Sequence, residues 1–320
     1  MVADDARVIV LTGPTAGGKT ALSVALAREI DAEIVSMDSA LVYRGLDIGT
    51  AKPTADERGG VAHHLIDIRE AWEPYSAAAF VDDAVATIET VRARGKRVLI
   101  VGGTLLYLKA LETGLADLPP ADATLRAELL AAGKERGWPA LHEELARVDP
   151  IAAARIHPND PQRLQRALEV YRLTGRALGE WQRTTAPVFQ EPLLKFALVP
   201  ASRAWLHERI ARRLEEMIDA GFLDEVRRLM CDERVVESLP AMRSVGYRQA
   251  WEHLSGMTMM STAEQDWRAR ARAATRRLAK RQLTWLRGMN GFQVLACDTL
   301  SVDAQLEFLL ETMTTARRRR

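Results

Sequence analysis

The chain has 320 residues, 48% of them hydrophobic and 27% charged, with a net charge of +1. That composition excludes a disordered, fibrous or disulfide-stapled protein and allows one large globular domain or two modest ones. The near-neutral total hides an asymmetry: residues 1–118 carry 17 acidic and 12 basic side chains, residues 119–320 carry 26 and 32.

Arg7-Val8-Ile9-Val10-Leu11-Thr12 is a short β-branched run that reads as a buried strand. Gly13-Pro14-Thr15-Ala16-Gly17-Gly18-Lys19-Thr20 follows and fits the phosphate-cradling pattern G-x-x-x-x-G-K-[ST] at every fixed position. Ala21–Ala27 then has the formers and spacing of a helix. Strand, glycine-rich turn and helix N-terminus together aim backbone N–H groups at an anion, with Lys19 toward the outer phosphates and the Thr20 hydroxyl on Mg²⁺. The motif specifies a polyphosphate and not its owner.

Glu33–Ser36 reads as a second strand ending at Asp38 and Ser39, and Tyr43–Pro53 as a loop. His63–Asp67 is strand-like, a helix runs from a Ser76 cap to about Arg94, and Lys96–Val101 is a third buried strand ending in Gly102-Gly103-Thr104. Alternating strands and helices predict a P-loop-type, doubly wound parallel sheet of the α/β class. Leu118-Pro119-Pro120 marks a boundary, and residues 119–194 read as an inserted all-helical domain before Lys195–Pro200 resumes the sheet. The core thus comprises residues 1–118 and 195–320. In its second part Leu206, Ile210, Leu214 and Met217/Ile218 form an apolar stripe with Arg209, Arg212 and Arg213 beside or opposite it, and Gln293–Ala296 is a last strand.

From Trp267 to Arg287 there are eight basic residues and no acidic one. Trp267, Ala271, Ala274, Leu278 and Trp285 are the predicted packed stripe, with Arg268, Arg272, Arg276 and Lys280 as a basic ridge suited to nucleic-acid phosphates. Arg163 and Arg166 are helix neighbours that either clamp a phosphate or, with Glu169, form a surface pair. Asp38 has three readings: a Mg²⁺ holder, a general base, or a cap. Thr104 either donates to a leaving-group oxygen or caps a helix. His63 and His64 point to opposite faces and are packing residues, and His157 belongs to a turn. Cys231 and Cys297 lack metal-type spacing and read as two buried thiols of a reducing cytoplasm. Asp4 and Asp5 argue against a secretory leader, and no apolar run approaches the roughly 18–20 residues that span a bilayer.

The P-loop, Asp38–Tyr43, Asp47–Pro53, Val101–Tyr107, His157–Arg163, Arg243–Gln249 and Lys280–Arg287 occur in an order and spacing that resembles the tRNA dimethylallyltransferases, also called tRNA isopentenyltransferases, over nearly the whole chain. The resemblance implies transfer of a dimethylallyl group from dimethylallyl diphosphate to N6 of the adenine 3′ of a tRNA anticodon, in the cytoplasm, by a monomer. The P-loop would then hold the donor's diphosphate with Mg²⁺, Asp38 would accept the N6 proton, Thr104 would bond the bridging oxygen and Arg213 would contact the diphosphate. By the same pattern Asp38, Ser39, Ala40 and Leu41 face the tRNA. So do Gln162, Arg163, Leu164, Gln165 and Arg166; Arg243, Ser244, Val245, Gly246, Tyr247 and Arg248; and Lys280, Arg281, Gln282, Leu283, Thr284, Trp285, Leu286 and Arg287. The inserted helices would grip the anticodon stem-loop, and the target adenine would leave its stack. Gly17 departs from the serine common in such loops, and Ala40-Leu41 from a pair with glutamine. Two alternatives stay open: an isopentenyltransferase acting on free adenine nucleotides, and a P-loop small-molecule kinase.

Overall fold

The computed structural model describes residues 8–116, 118–181, 187–256 and 263–318. Asp4, Asp5, Arg7, Arg319 and Arg320 lie outside the described residues. The strands are β1 (Ile9–Thr12), β2 (Ala32–Ser36), β3 (His63–His64), β4 (Arg97–Gly102), β5 (Leu194–Leu198) and β6 (Phe292–Leu295). They form one parallel sheet in the order β3-β2-β4-β1-β5-β6. The predicted strand at His63–Asp67 is only two residues long, because Leu65 and Asp67 take positive φ and turn the chain out of the ladder.

Between β1 and β4 lie α1 (Lys19–Glu29), α2 (Ala55–Arg58) and α3 (Ala77–Ala93); α4 (Leu105–Thr113) follows β4. Ser76 caps α3 by accepting from the N–H of Ala79. The helices α5 (Ala123–Arg136), α6 (Trp138–Val148), α7 (Pro150–Ala153), α8 (Pro161–Thr174) and α9 (Leu178–Trp181) precede β5. After it come α10 (Arg203–Asp219), α11 (Phe222–Met230), α12 (Tyr247–Leu254) and α13 (Ala263–Arg287), then β6 and α14 (Val302–Arg318). None of the described helices is long and apolar enough to cross a membrane.

Two compact units result: residues 1–108 with 190–320, and residues 109–189. In the first, Ile9, Leu11, Ile34, Leu99, Phe196 and Leu295 pack with Leu22 and Leu26 of α1 and Leu309 of α14. Val10, Val35, Val98 and Ile100, which alternate with these, are equally buried, so both faces of the sheet are covered, as a parallel sheet requires. A second cluster in this unit gathers Tyr43, Leu46, Leu214, Phe222, Tyr247 and Trp267. The helical unit has its own core of Leu129, Leu141, Leu145, Leu164 and Leu168. There Glu169, fully buried, accepts from Arg126 at 2.8 and 3.1 Å, Arg166 at 2.7 Å and the N–H of Asp122 at 2.9 Å. Burial raises its carboxyl, but these donors prevail and hold it below the usual range.

Candidate donor and RNA site

In an open parallel sheet the strand ends carry the ligand site, and here the C-terminal ends of β1, β2 and β4 deliver the phosphate loop, Asp38 and Gly103-Thr104. Gly18 caps α1 with φ 89°, a conformation that suits glycine, and makes no side-chain cap bond, so the first-turn amides have no side-chain acceptor there. Ala16 also takes a positive φ of 62°, a strained state for a residue with a Cβ and one found at ligand loops. Its carbonyl accepts from Arg209 Nε at 2.8 Å, and the residue packs against Leu206, Ile210 and Ala279. Lys19 Nζ donates to the carbonyls of Gly13 and Pro14 at 3.0 and 2.8 Å. Burial pushes its ammonium down to about 8, against Asp38, which raises it, and with Arg213, which lowers it further. Burial likewise lowers Arg213, with Asp38 opposing. Lys19, Asp38 and Arg213 therefore share one electrostatic environment.

Asp38 closes a turn rather than capping a helix: its Oδ1 accepts the N–H groups of Ala40 at 2.9 Å and Leu41 at 3.4 Å. Among the described residues its second carboxylate oxygen takes no such bond, which leaves an acceptor. Thr104 Oγ1 accepts the Ser39 N–H at 3.0 Å and lies 3.3 Å from Ser39 Oγ, so the ends of β2 and β4 are stitched together. Gly102 permits that approach, because a Cβ there would collide with the Met37 carbonyl. Among the described residues no group of three or more His, Cys, Asp or Glu side chains is placed to hold a metal ion. A cation bound to ligand phosphates here would have the Thr20 hydroxyl as a side-chain partner.

The residues expected to face RNA divide in two. Ser39, Gln162, Arg163, Arg243, Arg248, Lys280, Arg281, Thr284, Trp285 and Arg287 are exposed, and Ala40, Leu41, Gln165, Ser244, Val245 and Leu283 are partly so. Leu164, Gly246, Tyr247 and Leu286 are buried and offer RNA no surface. Tyr247 donates its hydroxyl to Glu225 at 2.5 Å. Arg166 makes the pair with Glu169 and also donates to the Pro119 carbonyl, which ties it into the helical unit. Gln165 donates to the Arg126 carbonyl at 2.8 Å.

The basic ridge is also shorter than its spacing suggests. Arg268 and Arg272 both pair with Glu215 of α10, and Arg270 with Glu252, so the run without acids meets acids from other helices. Arg276, Arg277, Lys280, Arg281 and Arg287 have no carboxylate partner among the described residues. Trp285 is 38% exposed, and Leu286 and Ala279 are buried instead. Cys231, expected to be buried, is exposed at the end of α11; Cys297 is buried. His63 and His64 bond the Val61 carbonyl and Glu33, as packing residues do.

Two residues of consequence are not visible as such in the sequence. Arg209 supports the phosphate loop from 193 residues away and shows there only as a charge beside an apolar stripe. Glu225, 2% exposed, accepts the N–H groups of Asp47 at 2.9 Å, Ile48 at 2.7 Å and Gly49 at 3.1 Å as well as the Tyr247 hydroxyl. The Asp47-Ile48-Gly49 loop is the only signal that an acceptor is needed. Lys52 closes the same loop, bonding the Tyr43 carbonyl at 2.7 Å, Asp47 at 2.6 Å and Asp67.

The model of one family, IPP transferase, matches residues 41–289, starting beyond the phosphate loop. The chain belongs to this family. A tRNA dimethylallyltransferase of Acidovorax sp. (strain JS42) is 52% identical over 314 residues, covering 96% of each chain. Among solved structures, a full-length tRNA isopentenylpyrophosphate transferase from Bacillus halodurans is 36% identical with a TM-score of 0.70, covering 97% of this chain and 96% of that one. A eukaryotic dimethylallyltransferase acting on tRNA is 26% identical with a TM-score of 0.78, covering 97% and 80%.

Proposed function

We propose that the chain transfers a dimethylallyl group from dimethylallyl diphosphate to N6 of the adenine 3′-adjacent to a tRNA anticodon, releasing diphosphate. The observation that carries this reading is the convergence of the phosphate loop, Asp38, Thr104 and Arg213 at the ends of β1, β2 and β4. As the allylic C–O bond breaks, negative charge grows on the departing diphosphate. The loop amides and the cations Lys19 and Arg213 oppose that charge without rearranging, where preorganised donors act most strongly. Thr104 donates to the bridging oxygen. The N6 lone pair forms the new C–N bond, and the proton released from N6 passes to the unengaged oxygen of Asp38. Mg²⁺, held beside the Thr20 hydroxyl by the donor's own phosphates, would supply further neutralisation of the leaving group.

On the RNA side, the exposed cations of α13 and Arg243 suit an anticodon stem-loop backbone, and the helical unit carries an exposed cation of its own in Arg163. The adenine would be extruded to reach the donor. Two free cysteines, one of them exposed, are in keeping with action in the cytoplasm. The test is incubation of the purified protein with labelled dimethylallyl diphosphate and either unmodified tRNA or AMP. Label on N6 of the tRNA adenine, with one pyrophosphate released per transfer, is the expected result. Transfer to AMP alone would replace this reading with the free-nucleotide enzyme, and ATP hydrolysis without prenyl transfer with the kinase.

A further inference from the structure

We propose that Gln282 is a positioning residue for the donor site, holding the phosphate loop and the Gly103-Thr104 wall at a fixed separation rather than reading RNA. Its side-chain amide bridges two main-chain groups. Oε1 accepts the Thr15 N–H at 2.9 Å and Nε2 donates to the Gly103 carbonyl at 3.0 Å. The partners settle which end of the amide is oxygen, because one is a donor and the other an acceptor. The approach is close enough that a Cβ on Gly103 would collide with Nε2, so the glycine and the glutamine are matched.

The bridge spans the two elements on which the chemistry depends. Thr15 lies inside the phosphate loop, and Gly103 precedes Thr104, whose hydroxyl takes the Ser39 N–H. A shift at either end of the bridge moves a group that must meet the leaving diphosphate, where small misplacements are costly. Arg209 braces the same loop from α10 at the next residue, Ala16, so the loop is pinned from two helices. On α13 the neighbours of Gln282 are turned the other way: Lys280 and Arg281 are exposed while Gln282 is partly buried. One helix thus presents cations outward and this amide inward.

The role assigned to Gln282 rests on the functional reading only for the identity of the donor. Two variants test it. Gln282→Met keeps the length and removes both polar ends, and Gln282→Glu keeps the acceptor for Thr15 but sets a carboxylate against the Gly103 carbonyl. In the RNA-free protein, both are expected to weaken inorganic pyrophosphate binding about tenfold, the scale of a lost hydrogen bond. Hydrogen exchange of the 13–18 amides should quicken. With tRNA present, KM for dimethylallyl diphosphate should rise and kcat fall, while tRNA affinity stays within about twofold. Loss of tRNA affinity with pyrophosphate binding and loop exchange unchanged would overturn the proposal, and so would no change in any readout. If Gln282→Met does not fold, Gln282→Glu decides the same comparison. A wild-type protein that binds pyrophosphate but prenylates no RNA would sink the functional reading, and the exchange and pyrophosphate measurements would still decide the role of Gln282.

Discussion

At Asp38 one carboxylate does two jobs, and an amide substitution separates them. Asp38→Asn retains an oxygen for the Ala40 and Leu41 N–H groups but no base for the N6 proton. Turnover should fall by about 10²–10⁴, the usual contribution of a general base, with pyrophosphate affinity little changed; an unaltered kcat would remove the role. Lys19 makes a prediction in pH. Its ammonium, lowered to about 8 by burial, carries fewer protons in the folded protein than in the unfolded chain between that value and its ordinary 10.5. On that account folding stability gains from rising pH over this interval. Pyrophosphate binding has the opposite dependence, because it needs the charged form: affinity should fall as pH climbs through about 8. The ligand's own deprotonation adds negative charge and acts in the other direction, so a fall, measured by calorimetry, is diagnostic of Lys19.

Among the elements, the loop after β2 and helix α13 show what local pattern does and does not reveal. Glu225→Ala would leave three loop amides and the Tyr247 hydroxyl without their acceptor and should cost roughly 4 kcal/mol or more in urea unfolding, at about 1–3 kcal/mol for each buried donor left unsatisfied. Tyr247→Phe, which removes one donor to a buried carboxylate, should cost about 1.5–3 kcal/mol. A Glu225→Ala protein as stable as the parent would dismiss the loop's dependence on it. On α13, charge reversal at Arg276 and Lys280 should weaken tRNA binding and flatten its salt dependence by about one unit of slope for each phosphate no longer neutralised. Neutralising Arg268 and Arg272, already paired with Glu215, should do much less. Strands, phosphate loop and the Ser76 cap were legible because each is written in neighbouring residues: a β-branched run, a glycine spacing, a hydroxyl before a helix. The Glu215 pairs were not, since they join residues 53 and 57 positions apart whose meeting depends on how two helices cross. For the same reason Tyr247 carried the right motif but is buried: a motif names residues, and tertiary packing decides which way they turn.

For the molecule as a whole, the sheet order decides when the site can exist. The phosphate loop follows the first strand, yet β1 lies between β4 and β5, Gly13 abuts the Leu198 carbonyl, and Thr15 waits for a residue 267 positions downstream. At synthesis rates of about 5–20 residues per second, roughly 13–53 s separate the two ends of that bond. Residues 109–189, with a core of their own, emerge in the interval. Nascent chains arrested before α13 should therefore not retain pyrophosphate, whereas chains released after α14 should; binding by the shorter chains would show that the loop forms without its late partners. The phosphate loop is thus synthesised well before either of its braces, Arg209 first and Gln282 after it, so its fixed shape is a product of tertiary assembly rather than of its own short sequence.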